Sequence, residues 1–411
     1  MYDWVVLWEW VEIGVRWLHV ITAIAWIGSS FYFIALDLGL HRDRNLASGA
    51  DGEEWQVHGG GFYHIQKYLV APASMPDHLI WFKWESYMTW ISGFTMLVLV
   101  YYMGAELFLI DPQVMELQVW QAVAISMASL AFGWVAYNTL CKVFVNADQN
   151  VLMLALFVVL VGMSWFYTQV FSGRAAMLHL GAFTASIMSA NVFFIIMPNQ
   201  RVVVADLKAG RAPDPKYGKI AKQRSTHNNY LTLPVIFLML SNHYPLIFAT
   251  KWNWVIASLV FLMGVTIRHW FNSRHARTGS PHWTWIATVL LFLAIAWLST
   301  APIRTVPEPE ARLDGTALIY ASAPGFADVV GIVQGRCSMC HAAEPSWEGL
   351  YWPPKGVVLE TEAQIAHEAK RIAMQAGYTH AMPPGNLSYI EPQERAKIVD
   401  WFRGAGTGQG I

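Results

Sequence analysis

The chain has 411 residues, 55% of them hydrophobic and 13% charged, with 21 tryptophans and a formal net charge of −1. That charged share is about half of what soluble globular domains carry, and the near-neutral balance excludes a broadly basic nucleic-acid binder. The apolar surplus lies before residue 302, so composition predicts a helical membrane domain followed by a soluble one.

Eight apolar stretches are expected to span a bilayer: 11–36, 79–103, 117–140, 150–171, 174–197, 229–250, 252–271 and 282–301. Each is close to the roughly 20 residues a helix needs to cross the hydrocarbon. No signal-peptide cleavage site follows the first run, which is therefore read as a span. Basic residues set the orientation. The loops after spans one, three, five and seven hold Arg42, Arg44, Lys67, Lys142, the run from Arg201 to Arg224, Arg274 and Arg277, whereas the loops after two, four and six hold Arg174 and Lys251. The positive-inside rule then puts the odd loops in the cytoplasm and both termini on the periplasmic side of a bacterial inner membrane.

Ionisable side chains inside a span are costly, so each marks a functional position by default. Span one carries Leu18-His19 and span five Leu178-His179, and at this offset Ala, Ile and Ser positions also coincide, as expected of a parallel 4+4 repeat. Two facing imidazoles in the outer half of the membrane suit a six-coordinate haem b held by His19 and His179; alternatively, each hydrogen-bonds a neighbouring helix. A second set falls at the inner ends: Lys83, Glu85, Tyr137, Asn138, Thr226-His227-Asn228-Asn229-Tyr230, Arg268 and His269. Together these can line a polar pocket in which Arg268 or Lys83 holds an anion, Asn228 and Asn138 read amide-like edges, and Glu85 or His227 takes a proton. The plainer reading is snorkelling at the interface. In the first inner loop, His58-Gly59-Gly60-Gly61 offers backbone N–H groups to an anion, or is only a turn.

Residues 302–325, with Pro302, Pro307, Pro309 and Pro324, read as a tether. Beyond it stands Cys337-Ser338-Met339-Cys340-His341, the C-x-x-C-H of covalent haem c attachment. The two thiols reach the haem vinyl groups from one side of a turn, and His341 takes the iron from the proximal face. A zinc site would need a second ligand pair, and the only other cysteine is Cys141. Met382, in His380-Ala381-Met382-Pro383-Pro384, is the expected distal ligand, with His380 and Met374 as competitors. Helices are expected over 327–335 and 392–403, making 326–405 one small cytochrome c domain.

The eight spans, Trp17-Leu18-His19, Thr226-His227-Asn228-Asn229-Tyr230 and the C-terminal haem motif together resemble the bacterial membrane-bound, cytochrome c-coupled urate oxidases (urate hydroxylases) over essentially the full length. The resemblance implies oxidation of urate to 5-hydroxyisourate, with electrons passing through haem c to a soluble cytochrome c or terminal oxidase and no hydrogen peroxide formed. It does not say which membrane residues do the chemistry. Urate, a flat anion edged by carbonyls and N–H groups, fits the inner set: Arg268 for its oxygens, Asn228 for its edge, Glu85 or His227 for a proton, with His269 as a further site residue. The rival readings are a non-catalytic or quinol-oxidising cytochrome c subunit of a respiratory complex, and a transporter with a fused redox module.

Overall fold

The computed structural model describes residues 4–42, 45–68, 76–300, 313, 315–348, 350 and 353–407. Two compact units divide the chain: Met1–Asn242 with Leu246–Ala301, and His243–Pro245 with Pro302–Ile411.

The first unit is built from α1 (Trp4–Gly39), a hairpin of β1 (Ala50–His58) and β2 (Gly61–Tyr68), then α2 (Trp84–Met96), α3 (Val119–Val143), α4 (Gln149–Val170), α5 (Gly173–Ala190), α6 (Met197–Lys208), α7 (Pro215–Ser241), α8 (Asn253–His275) and α9 (Trp283–Thr300). Local chemistry sets the starts. Asp148 caps α4 by accepting from Asn150 N, Ser172 caps α5 by accepting from Ala175 N, and Asp214 caps α7 ahead of Pro215. Two π-helical turns, Leu97–Tyr102 and Asn191–Ile196, extend α2 and join α5 to α6. The core lies among α3, α4 and α5, where Tyr167, Phe171, Leu180 and Phe183 are buried.

Among the described residues, six helices are long and apolar enough to cross a membrane: Val6–Gly39, Val119–Val143, Gln149–Val170, Gly173–Lys208, Asn253–His275 and Trp283–Thr300. The other two expected spans are helical but too polar to qualify. Residues 84–102 carry Glu85 and several hydroxyls, and α7 is polar through its first half. α7 also begins and ends earlier than the expected 229–250. The expected loop between spans five and six is mostly helix, so Arg201, Lys208, Lys216, Lys219, Lys222 and Arg224 sit on α6 and α7. Of the other loop charges, Arg44 lies outside the described residues.

The hairpin is the exception to an all-α expectation. Gly59 and Gly60 have φ of 58° and 81° and form its two-residue turn, the backbone that a type I′ hairpin demands and glycine supplies without a Cβ clash. α1 packs on α2 and α5 on α7, the pairings a repeat needs.

The C-terminal unit contains α10 (Gly315–Ala321), α11 (Phe326–Arg336), α12 (Glu362–His367) and α13 (Pro392–Thr407). Its core is Val329, Val333, Ile365, Ile398 and Trp401, all at most 1% exposed. α10 falls inside the expected 302–325 tether. It is held because the Trp401 indole donates to Tyr320 O at 2.8 Å and the Tyr320 ring stacks on Phe402 at 5.3 Å. The tether's Pro302, Pro307 and Pro309 lie outside the described residues, as do 408–411.

Candidate active site

The helix-crossing point of α7 and α8 sets the first cluster. A Cβ on Gly264 would collide with the Pro234 ring, so only glycine lets the two helices come this close. One turn further along α8 stands Arg268, 5% exposed. Its Nε donates to Asn229 Oδ1 at 3.2 Å and its Nη2 to Asn272 Oδ1 at 2.9 Å, while Asn272 Nδ2 donates to Asn229 Oδ1 at 3.0 Å. The guanidinium lies 4.0 Å over the Phe31 ring of α1. No carboxylate reaches Arg268 among the described residues, and the buried Asn229 Nδ2 has no acceptor. A buried cation and an unmet donor beside one another favour a planar anion with carbonyl edges.

Next to this cluster is a cavity of about 210 Å³, whose lining includes Asp37, Lys222, Thr226, Tyr230, His269 and Asn272. His269 Nδ1 and the Tyr230 hydroxyl are 3.5 Å apart. Asp37 is shared by two lysines: Lys67 of β2, and Lys222 of α7 at 2.7 Å. Of these, Asp37 and Lys222 line the cavity itself.

His227 and Asn228 do not join this pocket. They lie on the other side of α7, in a second cluster. The Gln149 amide donates to His227 Nε2 at 3.2 Å, which leaves the proton on Nδ1, 2.8 Å from the Tyr137 hydroxyl. Asn228 Oδ1 accepts from Asn191 Nδ2 at 2.9 Å and Asn228 Nδ2 donates to Met188 O at 2.9 Å. Arg224, 3% exposed, donates to Asn191 Oδ1 at 3.3 Å and Asn138 Oδ1 at 2.9 Å, with Tyr137 beneath it at 4.8 Å. Among the described residues Glu85 hydrogen-bonds to neither cluster, and its buried Oε2 has no partner. The single pocket expected from sequence is thus split by the 100° per residue turn of α7. Asp37, Asn191, Lys222, Arg224 and Asn272 were not among the expected site residues. The i, i+3, i+4 spacing of Arg224, His227 and Asn228 is the available signal, hidden because the basic stretch up to Arg224 reads as a loop in the sequence.

His19 and His179 take different partners. His19 Nδ1 donates to Thr89 O at 3.0 Å and lies 3.2 Å from Ser92 Oγ; its Nε2 makes no hydrogen bond among the described residues. His179 is fully buried, with Nδ1 on Ala175 O and Nε2 on Ser126 Oγ, both at 2.8 Å.

In the C-terminal unit, the turn of Ser338–His341 is closed by bonds from Cys340 N and His341 N to Cys337 O at 3.1 and 2.9 Å. Cys337 and Cys340 are both free thiols. Burial pushes the Cys337 thiol up to about 11, with a smaller push from Cys340, and burial raises Cys340 too. His341 Nδ1 donates to Val357 O at 2.9 Å, which turns Nε2 away as the free ligand atom. Met382 is half-buried on a loop pinned from below by Arg395, 7% exposed. Arg395 Nη1 donates to Met382 O at 2.9 Å and to Ala376 O at 2.6 Å, and Met382 N donates to Gln375 O at 2.8 Å.

Glu394 braces the same unit, accepting from Glu391 N at 2.8 Å and from Arg336 Nε and Nη2. Burial works to raise its carboxyl, but the Glu391 N–H and the Arg336 guanidinium outweigh it and hold the group below the usual range. A carboxylate held low stabilises the folded state above the ordinary glutamate pKa and stops doing so as pH falls through the lowered value. Acid titration of ellipticity should therefore show the unit losing stability below about pH 4. Glu394→Gln should flatten that loss; an identical acid profile would remove Glu394 as its cause.

The family profile described as "Urate oxidase N-terminal" matches residues 5–299. No curated protein and no solved structure matches the chain. The matched segment takes in α1 through α9, and so both polar clusters and the cavity. The chain therefore belongs to the urate oxidase N-terminal family.

Proposed function

We propose that this chain is a membrane-bound urate oxidase that converts urate to 5-hydroxyisourate and delivers the electrons to a haem c on its own C-terminal unit. From there they pass to a soluble cytochrome c or terminal oxidase, without hydrogen peroxide as product. The observation that carries this reading is one chain joining a urate oxidase segment to a C-x-x-C-H whose histidine is already oriented as an iron ligand. The unit sits on the periplasmic side of a bacterial inner membrane, as the loop charges imply.

The reaction balances as urate plus water giving 5-hydroxyisourate, two protons and two electrons. The cavity beside Arg268 holds urate. Asn272 lines that cavity and joins it to Arg268 and Asn229, whose guanidinium and unmet Nδ2 would meet the urate carbonyl oxygens, with the Phe31 ring fixing the guanidinium plane. His269 and Tyr230 stand where protons leave, and Asp37 between two lysines can pass them outward. Lys222 adds charge that favours the urate anion.

Haem c supplies a one-electron acceptor; Cys337 and Cys340 would hold it covalently, with His341 and Met382 on its iron. The residues fit. Arg395→Met should remove the bonds that pin Met382, cost the unit about 3 kcal/mol and lower the haem potential as the thioether loosens. A redox titration identical to wild type would count against Met382 as the ligand. A haem b between His19 and His179 is also part of the proposal. His19 fits, with Nδ1 on a carbonyl and Nε2 open; His179 would first have to give up Ser126.

The deciding experiment is anaerobic urate added to the purified protein. Reduced haem c bands are the expected result; haem that stays oxidised with urate but responds to quinol would turn the assignment to a respiratory subunit. A pyridine haemochrome spectrum of the same preparation should show b-type beside c-type haem, and c-type alone would remove the internal haem.

A further inference from the structure

The hairpin of β1 and β2 has two unlike faces. Val57 pairs with Phe62 and Trp55 with His64, so these four share one face, and the Trp55 and His64 rings stack at 4.3 Å. On that face Trp55, Val57 and Phe62 are 57%, 68% and 78% exposed. The opposite face turns to α1. There the Tyr32 hydroxyl donates to Gln56 Oε1 at 2.7 Å, and a Cβ on Gly39 would come within 3.0 Å of Glu54 Oε2. His41 and Glu53 exchange backbone bonds at 2.8 and 3.0 Å.

These contacts fix a direction. From Glu53 to Gln56 the strand passes from the level of His41 back to that of Tyr32, so β1 runs antiparallel to the end of α1. The stretch of α1 without charge lies between Arg16 and Asp37; at 1.5 Å per residue it matches the roughly 30 Å of hydrocarbon. Tyr32 is about 7 Å inside that stretch, measured from Asp37. The hairpin therefore does not hang free in water below the membrane. It climbs back toward it, tip first.

Charge follows the same axis. Between Val57 and Phe62 there is no Asp, Glu, Lys or Arg. The charges stand toward the base: Asp51 pairs with Arg42 at 3.1 Å, Glu53 hydrogen-bonds His64 at 2.8 Å and Lys67 pairs with Asp37, while Glu54 keeps a buried Oε2 that has no hydrogen-bond partner among the described residues. An apolar aromatic tip beyond a charged base is the chemistry of the lipid interface, where Trp and Phe side chains meet acyl chains and charged groups stay at the water side.

We propose that this hairpin is an interfacial anchor: Trp55, Val57 and Phe62 insert into the headgroup–acyl boundary of the leaflet at which α1 ends. The occupant of the face is lipid, because the hairpin rises beside the uncharged stretch of α1, whose own Ile21, Ile24 and Phe33 are 46%, 65% and 41% exposed. The anchor also holds Lys67 on Asp37.

The test uses the full-length protein in vesicles of phosphatidylcholine and phosphatidylglycerol, with a nitroxide at Phe62→Cys and, as a second variant, Val57→Cys. Label taken up by the wild type is subtracted; Cys141 is only 5% exposed. Collision rates with oxygen, which partitions into lipid, are compared with those of a water-soluble nickel complex. The expected result is an oxygen preference at both sites that is smaller than that of Ile24→Cys, which is 65% exposed near the middle of the uncharged stretch of α1, as a boundary depth requires. A nickel preference like that of Tyr389→Cys, 78% exposed in the C-terminal unit, would overturn the proposal. Spin–spin broadening between labels would also overturn it, assigning the face to a second copy of the chain.

Discussion

Replacing Arg268 by leucine is expected to lower kcat/KM for urate about a hundredfold or more. Two charge-assisted hydrogen bonds at about 1.5–3 kcal/mol each amount to at least two decades at about 1.4 kcal/mol per decade. The loss should fall mainly on KM if the guanidinium holds substrate and transition state alike. Arg268→Lys should lie between, because an ammonium keeps the charge but not the planar fork that reads a carbonyl edge. Covalent haem content and helicity serve as the folding control. Unchanged kinetics in the leucine variant would empty the cavity of its role. A larger loss in His227→Ala would move the substrate to the Tyr137–Arg224 side of α7.

The second large effect is expected at the tail. With Cys337→Ser and Cys340→Ser combined, no haem should remain covalently bound. Urate turnover with an external cytochrome acceptor should fall to background, while urate binding to the membrane unit persists within a factor of about two, as for sites that share no partner. Both thiols belong to the C-terminal unit, which has its own core of Val329, Val333 and Trp401. The split between lost turnover and retained binding is what separates an electron outlet from a structural role. Full turnover without covalent haem would break the proposed route.

Much of the architecture could be read from residue order. Long apolar runs became α1, α3, α4, α5, α8 and α9, because an unbroken apolar helix hides its own backbone polar groups. The helices expected at 327–335 and 392–403 stand at Phe326–Arg336 and Pro392–Thr407. Short elements were harder. Residues 50–68 alternate weakly, and their pairing depends on a turn at Gly59-Gly60 that local sequence left open. α10 was hidden among prolines and exists because Trp401 and Phe402, some eighty residues on, receive it.

The polar residues teach the same lesson more sharply. Which side chains were costly enough in a membrane to matter was evident from their type: Arg268, His269, His227 and Asn228 are all buried or lining, as an expensive group must be. Which of them share a site was not, since adjacent positions on a helix point about 100° apart. His227 and Asn228 faced α3 and α5, Asn229 faced α8, and three neighbours in the run went to two places. The residue order by itself determined the long apolar helices, the C-x-x-C-H spacing and the list of polar groups, because these follow from composition and short spacing. Only the tertiary structure decided the pocket: Gly264 against Pro234 sets how close α7 and α8 come, and that approach brings Arg268, Asn229 and Asn272 together beside a cavity.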